Sequence, residues 1–417
     1  MFDISIITIG DEICIGQIVN TNAAWIAGKV TSIGANVKLH STIGDNRDSL
    51  IDELNRLLPI SDLVILTGGL GPTHDDITKN VLCEYFGDDL VLHNDTLKYL
   101  KKIFSLRGYH LTERNMEQAY LPSICLVLKN EVGTAPGMLF EEKGKFVISL
   151  PGVPAEMKYI MNDSVIPFIK RKIAERNDNV VLYKNLQTTG IPESKLADMI
   201  GEPKEFLGDG SLAFLPSYRG VKLRIGVSGK NFETAREKLK KIEKVIFEKA
   251  GGNIFSADDE SLVSKVGSLL SERNLTVAVA ESCTGGLLGA EFTSISGSSV
   301  YFSGGVIAYS NEIKEKILNV SKDSLVQFGA VSEQVAFELA RNVRDIFKTD
   351  VGIGITGIAG PTGGTEEKPV GTVFIGLAFG DNVKVKKFVF STEREVNRER
   401  AVGTALTMLL NELQNNE

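Results

Sequence analysis

Ser282 stands where a sequence can make a nucleophile. It follows a β-branched apolar run (275–280) and precedes Gly285, Gly286 and a segment bearing Leu287, Leu288, Ala290 and Phe292 on one face. Such a run reads as a buried strand that enters a helix through a glycine turn. The turn points free N–H groups and the positive end of a helix dipole at one spot, which suits an oxyanion or a phosphate. On this reading Ser282 attacks a carbonyl and the N–H groups of Gly285 and Gly286 hold the charge that develops. The alternative is an ordinary glycine-rich turn in which Ser282 or Thr284 caps the helix. All four histidines (His40, His74, His93 and His110) lie within the first 110 residues. A Ser-His-Asp triad within the serine's own domain is therefore excluded, and its base must be a lysine, a tyrosine, a carboxylate or another hydroxyl.

Two further clusters near Ser282 carry polar groups. A strand over 306–309 delivers Tyr309, Asn311 and Lys314 near its end, and a strand over 351–355 ends in TGIAGPTGG, a second glycine-rich corner opened by Thr356 and Gly357. In the first part of the chain, Gly68, Gly69 and Gly71 would let the backbone approach a phosphate, with Asp75 and Asp76 just beyond and Asp11 and Glu12 in an earlier turn. Carboxylates there suit a metal bridging phosphates. The competing reading makes Asp75 and Asp76 helix N-terminal charges for 77–86. His74 reads as a surface donor, and Glu156, behind Pro154, reads equally as a cap or a sheet-edge carboxylate.

These residues need a frame. Strands over 4–9, 36–40, 62–66 and 146–150 alternate with helices from Thr21 (capped by Asn20 or Thr21) and over 48–58, which predicts a parallel α/β sheet with ligands beyond the strands' carboxyl ends. The stretch from Asn179 to 255 reads as a small α+β unit: strands over 182–188, 212–215 and 221–227, helices over 193–200 and 232–249. It lacks the G-x-x-G loop a KH fold needs to clamp RNA, and Glu237, Glu243 and Glu248 interleave with the lysines of its long helix. The predicted domains are 1–175, 176–256 and 257–417.

Composition bounds the rest. The 417 residues are 43% hydrophobic and 24% charged, with a net charge of −7, so no global basic field draws the chain to nucleic acid or an anionic membrane. Cys14, Cys83, Cys125 and Cys283 form no C-x-x-C pair, which argues against a zinc site or a disulfide framework. The N-terminus lacks a basic leader and no apolar run approaches a membrane span, so a cytoplasmic location is expected.

The motifs GDEICIGQIVNTN, TGGLGPTHDDIT and LPGVPAEM resemble the molybdopterin-binding fold of the MogA and MoeA type, in the version at the front of the competence/damage-inducible CinA family. AESCTGGLLGA, GGVIAYSNEIK, GAVSEQVA, GITGIAGPTGG and KPVGTVFIG look like that family's nicotinamide mononucleotide deamidase domain, and the middle stretch is similar to its KH-like domain. The resemblance implies hydrolysis of the carboxamide of nicotinamide mononucleotide without a cofactor. Ser282 would be the nucleophile, with Ser299, Tyr309 and Thr356 a surrounding hydroxyl network. Lys314 would be the cation lowering their pKa, or the base itself if buried and neutral. Thr284, Gly285, Gly286, Asn311 and Gly357 would line the substrate, and Arg398 would bind its phosphate. Cys283 is the rival nucleophile, disfavoured because it would point to the other side of the corner. For the first domain the resemblance implies cleavage of ADP-ribose dependent on a divalent metal (Mg2+, Mn2+, Co2+ or Ni2+), with Asp11, Glu12, Asp75 and Asp76 as ligands and Gly68, Gly69 and Gly71 against the diphosphate. A homodimer is expected, with no membrane or nucleic-acid partner. The other functions such relatives suggest are a binding or regulatory role in DNA uptake or repair, and molybdopterin binding or adenylyl transfer.

Overall fold

The computed structural model describes residues 1–176 and 180–415, so Asn179, where the middle stretch was read to begin, lies outside the described residues. The chain divides into two compact units, one of Met1–Tyr183 with Gly226–Lys241 and one of Lys184–Ile225 with Ile242–Glu417.

In the first unit, β1 (Asp3–Ile9), β2 (Asn36–Ile43), β3 (Leu63–Thr67), β4 (Leu90–Leu92), β5 (Tyr120–Pro122), β6 (Leu126–Leu128), β7 (Gly137–Glu142) and β8 (Lys145–Leu150) follow in order. Six of them form one sheet, β2-β1-β3-β8-β7-β6. The alternation of strand and helix predicts a parallel α/β sheet, and the four strands it named, β2, β1, β3 and β8, are parallel. β7 and β6 instead run antiparallel at one edge, because β7 and β8 are joined by a tight hairpin too short for a crossover. Alternate residues of β1 serve two cores: Ile4 and Ile6 face the helices Thr21–Ser32 and Pro154–Ile160, Ile7 and Ile9 the helix Arg47–Leu57. Asn20 caps the first of these helices by accepting from the Ala23 N–H at 3.1 Å.

The middle stretch supplies β9 (Val180–Thr188), β10 (Ser211–Ser217), β11 (Gly220–Gly229) and β12 (Ile254–Ser256) in the order β10-β11-β9-β12, with helices Glu193–Ile200 and Phe232–Ala250. In the second unit, β13 (Val277–Glu281), β14 (Phe302–Ile307), β15 (Val351–Gly357), β16 (Thr372–Phe379) and β17 (Asn382–Val389) form a sheet ordered β14-β13-β15-β16-β17. β13 is parallel to β14 and β15; β16 and β17 return antiparallel. Val277 and Val279 pack with the helices Leu262–Glu272 and Arg394–Asn415, while Ala278 and Ala280 pack with Glu333–Phe347. That second face is built small so that the helix can lie close. A Cβ on Gly352, Gly354 or Gly376 would stand 2.1–2.5 Å from backbone atoms of Ala336 or Ala340. No helix among the described residues is long and apolar enough to cross a membrane.

Candidate active site

The period of two along β13 carries past its end and decides which corner side chain is available. Cys283 continues the Val277–Val279 face and is buried in that core, where burial pushes its thiol up to about 12. Ser282 takes the opposite side, with 8% exposure, and its N–H bonds the Ile355 carbonyl of β15 at 2.9 Å. Gly285 and Gly286 make the turn at φ 60° and 92°, a left-handed pair that other residues adopt only under strain.

The partner of Ser282 is Lys314. Its Nζ lies 3.2 Å from Ser282 Oγ, 2.7 Å from the Ala308 carbonyl and 3.3 Å from the Tyr309 carbonyl. Lys314 is 1% exposed, and among the described residues no carboxylate pairs with it. Burial holds its pKa below the usual lysine value, against a smaller opposing effect of Cys283. An ammonium fits these contacts by donating to all three oxygens, and a neutral amine fits them by donating to the two carbonyls and accepting from the serine hydroxyl.

The expected oxyanion donors are occupied. The Gly285 N–H donates to the Ser282 carbonyl at 3.1 Å, and the Gly286 N–H to Glu281 Oε2 at 3.1 Å. Glu281, 1% exposed, also accepts from the N–H groups of Leu288 at 3.1 Å and Gly289 at 2.8 Å. The start of the helix Leu287–Thr293 is thus filled by the protein's own carboxylate, so neither Ser282 nor Thr284 caps it. The corner N–H groups without a hydrogen bond among the described residues are those of Cys283 and Thr284, and the buried Thr284 hydroxyl is likewise unpartnered.

The hydroxyl network does not assemble around Ser282. The Thr356 hydroxyl, buried one residue past Ile355, donates to the Ala330 carbonyl at 2.7 Å. Tyr309 is 62% exposed and its hydroxyl accepts from Arg394 at 3.1 Å. Ser299 is exposed and precedes β14, whose Phe302 pairs with Val277 at the start of β13. At about 3.3 Å per residue, Ser282 lies roughly 17 Å further along that parallel pair; within one chain Ser299 belongs to the opposite sheet edge. Asn311 is exposed at the first turn of the helix Asn311–Lys316. Gly357 is fixed by packing, since a Cβ there would stand 2.7 Å from Val373.

Arg398 does reach the corner, donating to the Thr284 carbonyl through Nε at 3.3 Å and an NH2 group at 3.0 Å, with Glu395 on its other side. Arg394, one helical turn earlier, also donates to the Gly360 carbonyl at 3.0 Å and was not singled out from the sequence. Its signal was the i, i+4 spacing of the two arginines.

In the first unit a cavity of about 550 Å³ opens at the carboxyl ends of β1, β3 and β8, bordered by Gly68, Gly69, Gly71 and Glu12. A Cβ on Gly68 would stand 2.2 Å from the Ile9 carbonyl. The four proposed metal ligands do not converge. Asp76 accepts from the N–H groups of Gly71 at 2.7 Å and Thr73 at 2.9 Å, stapling the glycine loop. Asp75, which also borders the cavity, pairs with His74 at 2.9 Å. The Asp11 and Asp45 carboxylates each accept the other's N–H, at 3.3 and 3.0 Å. Among the described residues no three His, Cys, Asp or Glu side chains are grouped to hold a metal by themselves. Asp45, missed in the sequence, borders the cavity, and its pKa is raised by burial and further by the charges of Asp11, Glu12 and Asp76. That repulsion is what a shared cation would relieve.

Family profiles match three stretches: a probable molybdopterin binding domain over residues 5–171, the damage-inducible protein CinA KH domain over 183–256 and the CinA C-terminal domain over 259–413. A putative competence-damage inducible protein of Halothermothrix orenii is 43% identical over 94% of each chain, and a CinA-like protein of Chloroherpeton thalassium 42% identical over 97% of each. Among solved structures, CinA of Thermoplasma acidophilum is 38% identical, covering 40% of this chain and 98% of its own, with a TM-score of 0.38. The chain, with its molybdopterin-binding-like first domain, belongs to the CinA family of competence/damage-inducible proteins.

Proposed function

We propose that the second unit hydrolyses the carboxamide of nicotinamide mononucleotide, and the observation that carries this is the buried Ser282–Lys314 pair. Neutral Lys314 takes the hydroxyl proton as Ser282 Oγ attacks the amide carbon. The Cys283 and Thr284 N–H groups are the donors left to receive the oxyanion. The lysine proton passes to the departing nitrogen, ammonia leaves, and water, deprotonated by Lys314, cleaves the ester to release nicotinic acid mononucleotide. Arg398 and Arg394 supply positive charge for the substrate phosphate. The expected result is ammonia release by the purified chain with chelator present, and loss of at least about 10³-fold in Ser282→Ala. A variant as active as the parent would overturn the nucleophile. An inert parent would overturn the activity.

For the first unit we infer a metal-dependent cleavage of ADP-ribose, supported by the glycine-lined cavity and its carboxylates. A cation bound mainly by diphosphate oxygens needs only one or two protein carboxylates, and Glu12 and Asp45, which both border the cavity, are our candidates. Bound there, it would neutralise charge on the diphosphate. Gly68 and Gly69 let the chain approach the phosphates. AMP release is expected with Mg2+ or Mn2+ and should vanish with chelator, under which ammonia release from the mononucleotide continues. Absence of AMP with every divalent ion tried would remove this reading alone.

A further inference from the structure

Gln118 is 5% exposed, yet among the described residues neither its amide nitrogen nor its amide oxygen has a hydrogen-bond partner. A primary amide offers two donors and two acceptor sites, and leaving it buried and unpaired costs more than most native interiors tolerate. The backbone around it is fixed: the Glu117 carbonyl accepts from Lys79 at 2.6 Å and the Ala119 carbonyl from the His93 N–H at 2.8 Å. The side chain is therefore presented from a rigid support rather than left over in a loose loop.

Its position is informative. Gln118 borders the glycine-lined cavity and also a second cavity of about 760 Å³, and Gly71, Pro72, Thr73 and Asp76 border both. The first lobe carries the glycine turn. The second has one apolar wall, from Leu90, Leu92, Leu97, Met116 and Tyr120, beside the charged side chains of Lys79, Glu113, Arg114 and Glu117. A glycine-lined lobe joined to one with an apolar wall suits a ligand with a charged diphosphate and a flat ring.

We propose that the two cavities form one site in which Gln118, at their junction, reads the edge of an adenine ring lying against the apolar wall of the second. Adenine offers an amino donor beside a ring-nitrogen acceptor, the pattern that a glutamine amide matches with two parallel hydrogen bonds. On the N6/N7 edge hypoxanthine presents two acceptors, O6 and N7, and loses that match. This rests on the reading of the first unit as a site for ADP-ribose, and adds the residue that selects the base.

The test is calorimetric binding to the full chain, with Mg2+ present, of ADP-ribose, of the same compound carrying hypoxanthine, and of inorganic pyrophosphate. The parent should prefer adenine over hypoxanthine by about 10–100-fold. In Gln118→Met, a close match in volume, that ratio should fall to near one with pyrophosphate binding unchanged. Without ligand, Gln118→Met should melt higher than the parent, because an unpaired buried amide has gone. A parent that binds neither nucleotide overturns the ADP-ribose reading together with this one. A parent that binds both bases equally, or a variant that keeps the preference, overturns the role of Gln118 alone. A variant that melts lower with its preference intact marks the amide as structural. The comparison of the two bases on the parent chain needs no variant to fold.

Discussion

Lys314→Met should lower the rate of nicotinamide mononucleotide deamidation by about 10³-fold or more while the chain still folds, and Lys314→Arg should not rescue it. A positioned general base contributes about 10²–10⁴-fold, and here the same nitrogen also serves the leaving group and the hydrolytic water. The arginine variant separates two roles. If Lys314 acts as a fixed cation, a guanidinium preserves the charge and activity persists; if it acts as a base, an always-protonated group has no lone pair to offer. Activity within about tenfold of the parent in Lys314→Arg would overturn the base assignment. The pH profile gives an independent reading. Only the neutral amine can accept the proton, so kcat/KM should climb with pH through the Lys314 pKa, which burial holds below 10.5, and then level off. The stability sign follows from the same shift. Between the lowered folded pKa and 10.5 the unfolded chain binds more protons, so stability should rise with pH across that window and be level on either side of it. Lys314→Met should remove that slope.

The corner itself was legible in the sequence because local signals determine it: the apolar run 275–280, a hydroxyl residue and a glycine pair read the same way from either side. Alternation was legible too, and it put Cys283 and Ser282 on opposite faces before any coordinates. What failed depended on direction and on reach. Ser299 was grouped with Ser282 by motif, but a residue that precedes a parallel strand must lie at the edge where the strands begin. The oxyanion donors were assigned to glycines because backbone N–H groups at a helix start are usually free. Nothing local reveals that a side chain five residues earlier folds back to take one of them. The same blindness affected Asp76, whose proximity to Gly71 and Thr73 in sequence hid that its oxygens are spent on their N–H groups. Lys314 was named as a possible base from residue type, yet its distance from Ser282, 32 positions away in sequence, only the packing of β13 against β14 could set.

Removing the Glu281 carboxylate should destabilise the second unit more than any other change near the site. In Glu281→Ala three backbone N–H groups, of Gly286, Leu288 and Gly289, lose their acceptor at once. The buried Leu288 donor should cost about 1–3 kcal/mol and the half-buried Gly286 and Gly289 donors less each, about 2–4 kcal/mol for the three together. Against a typical domain stability of about 5–15 kcal/mol this is a large share. Glu281→Gln keeps one oxygen but turns an NH2 group toward at least one N–H donor, so it should fall between the parent and Glu281→Ala. Amide hydrogen exchange on the peptide containing residues 286–289 reads the effect locally, and protection there should drop before that of β15. Activity should fall with it. The free Cys283 and Thr284 N–H groups keep their direction only while the turn behind them is pinned, and an unpinned helix start offers competing positive ends to the substrate's phosphate. If Glu281→Ala keeps both exchange protection and deamidation, water replaces the carboxylate without loss. The corner is then held by Gly285, Gly286 and the Ser282–Ile355 hydrogen bond alone.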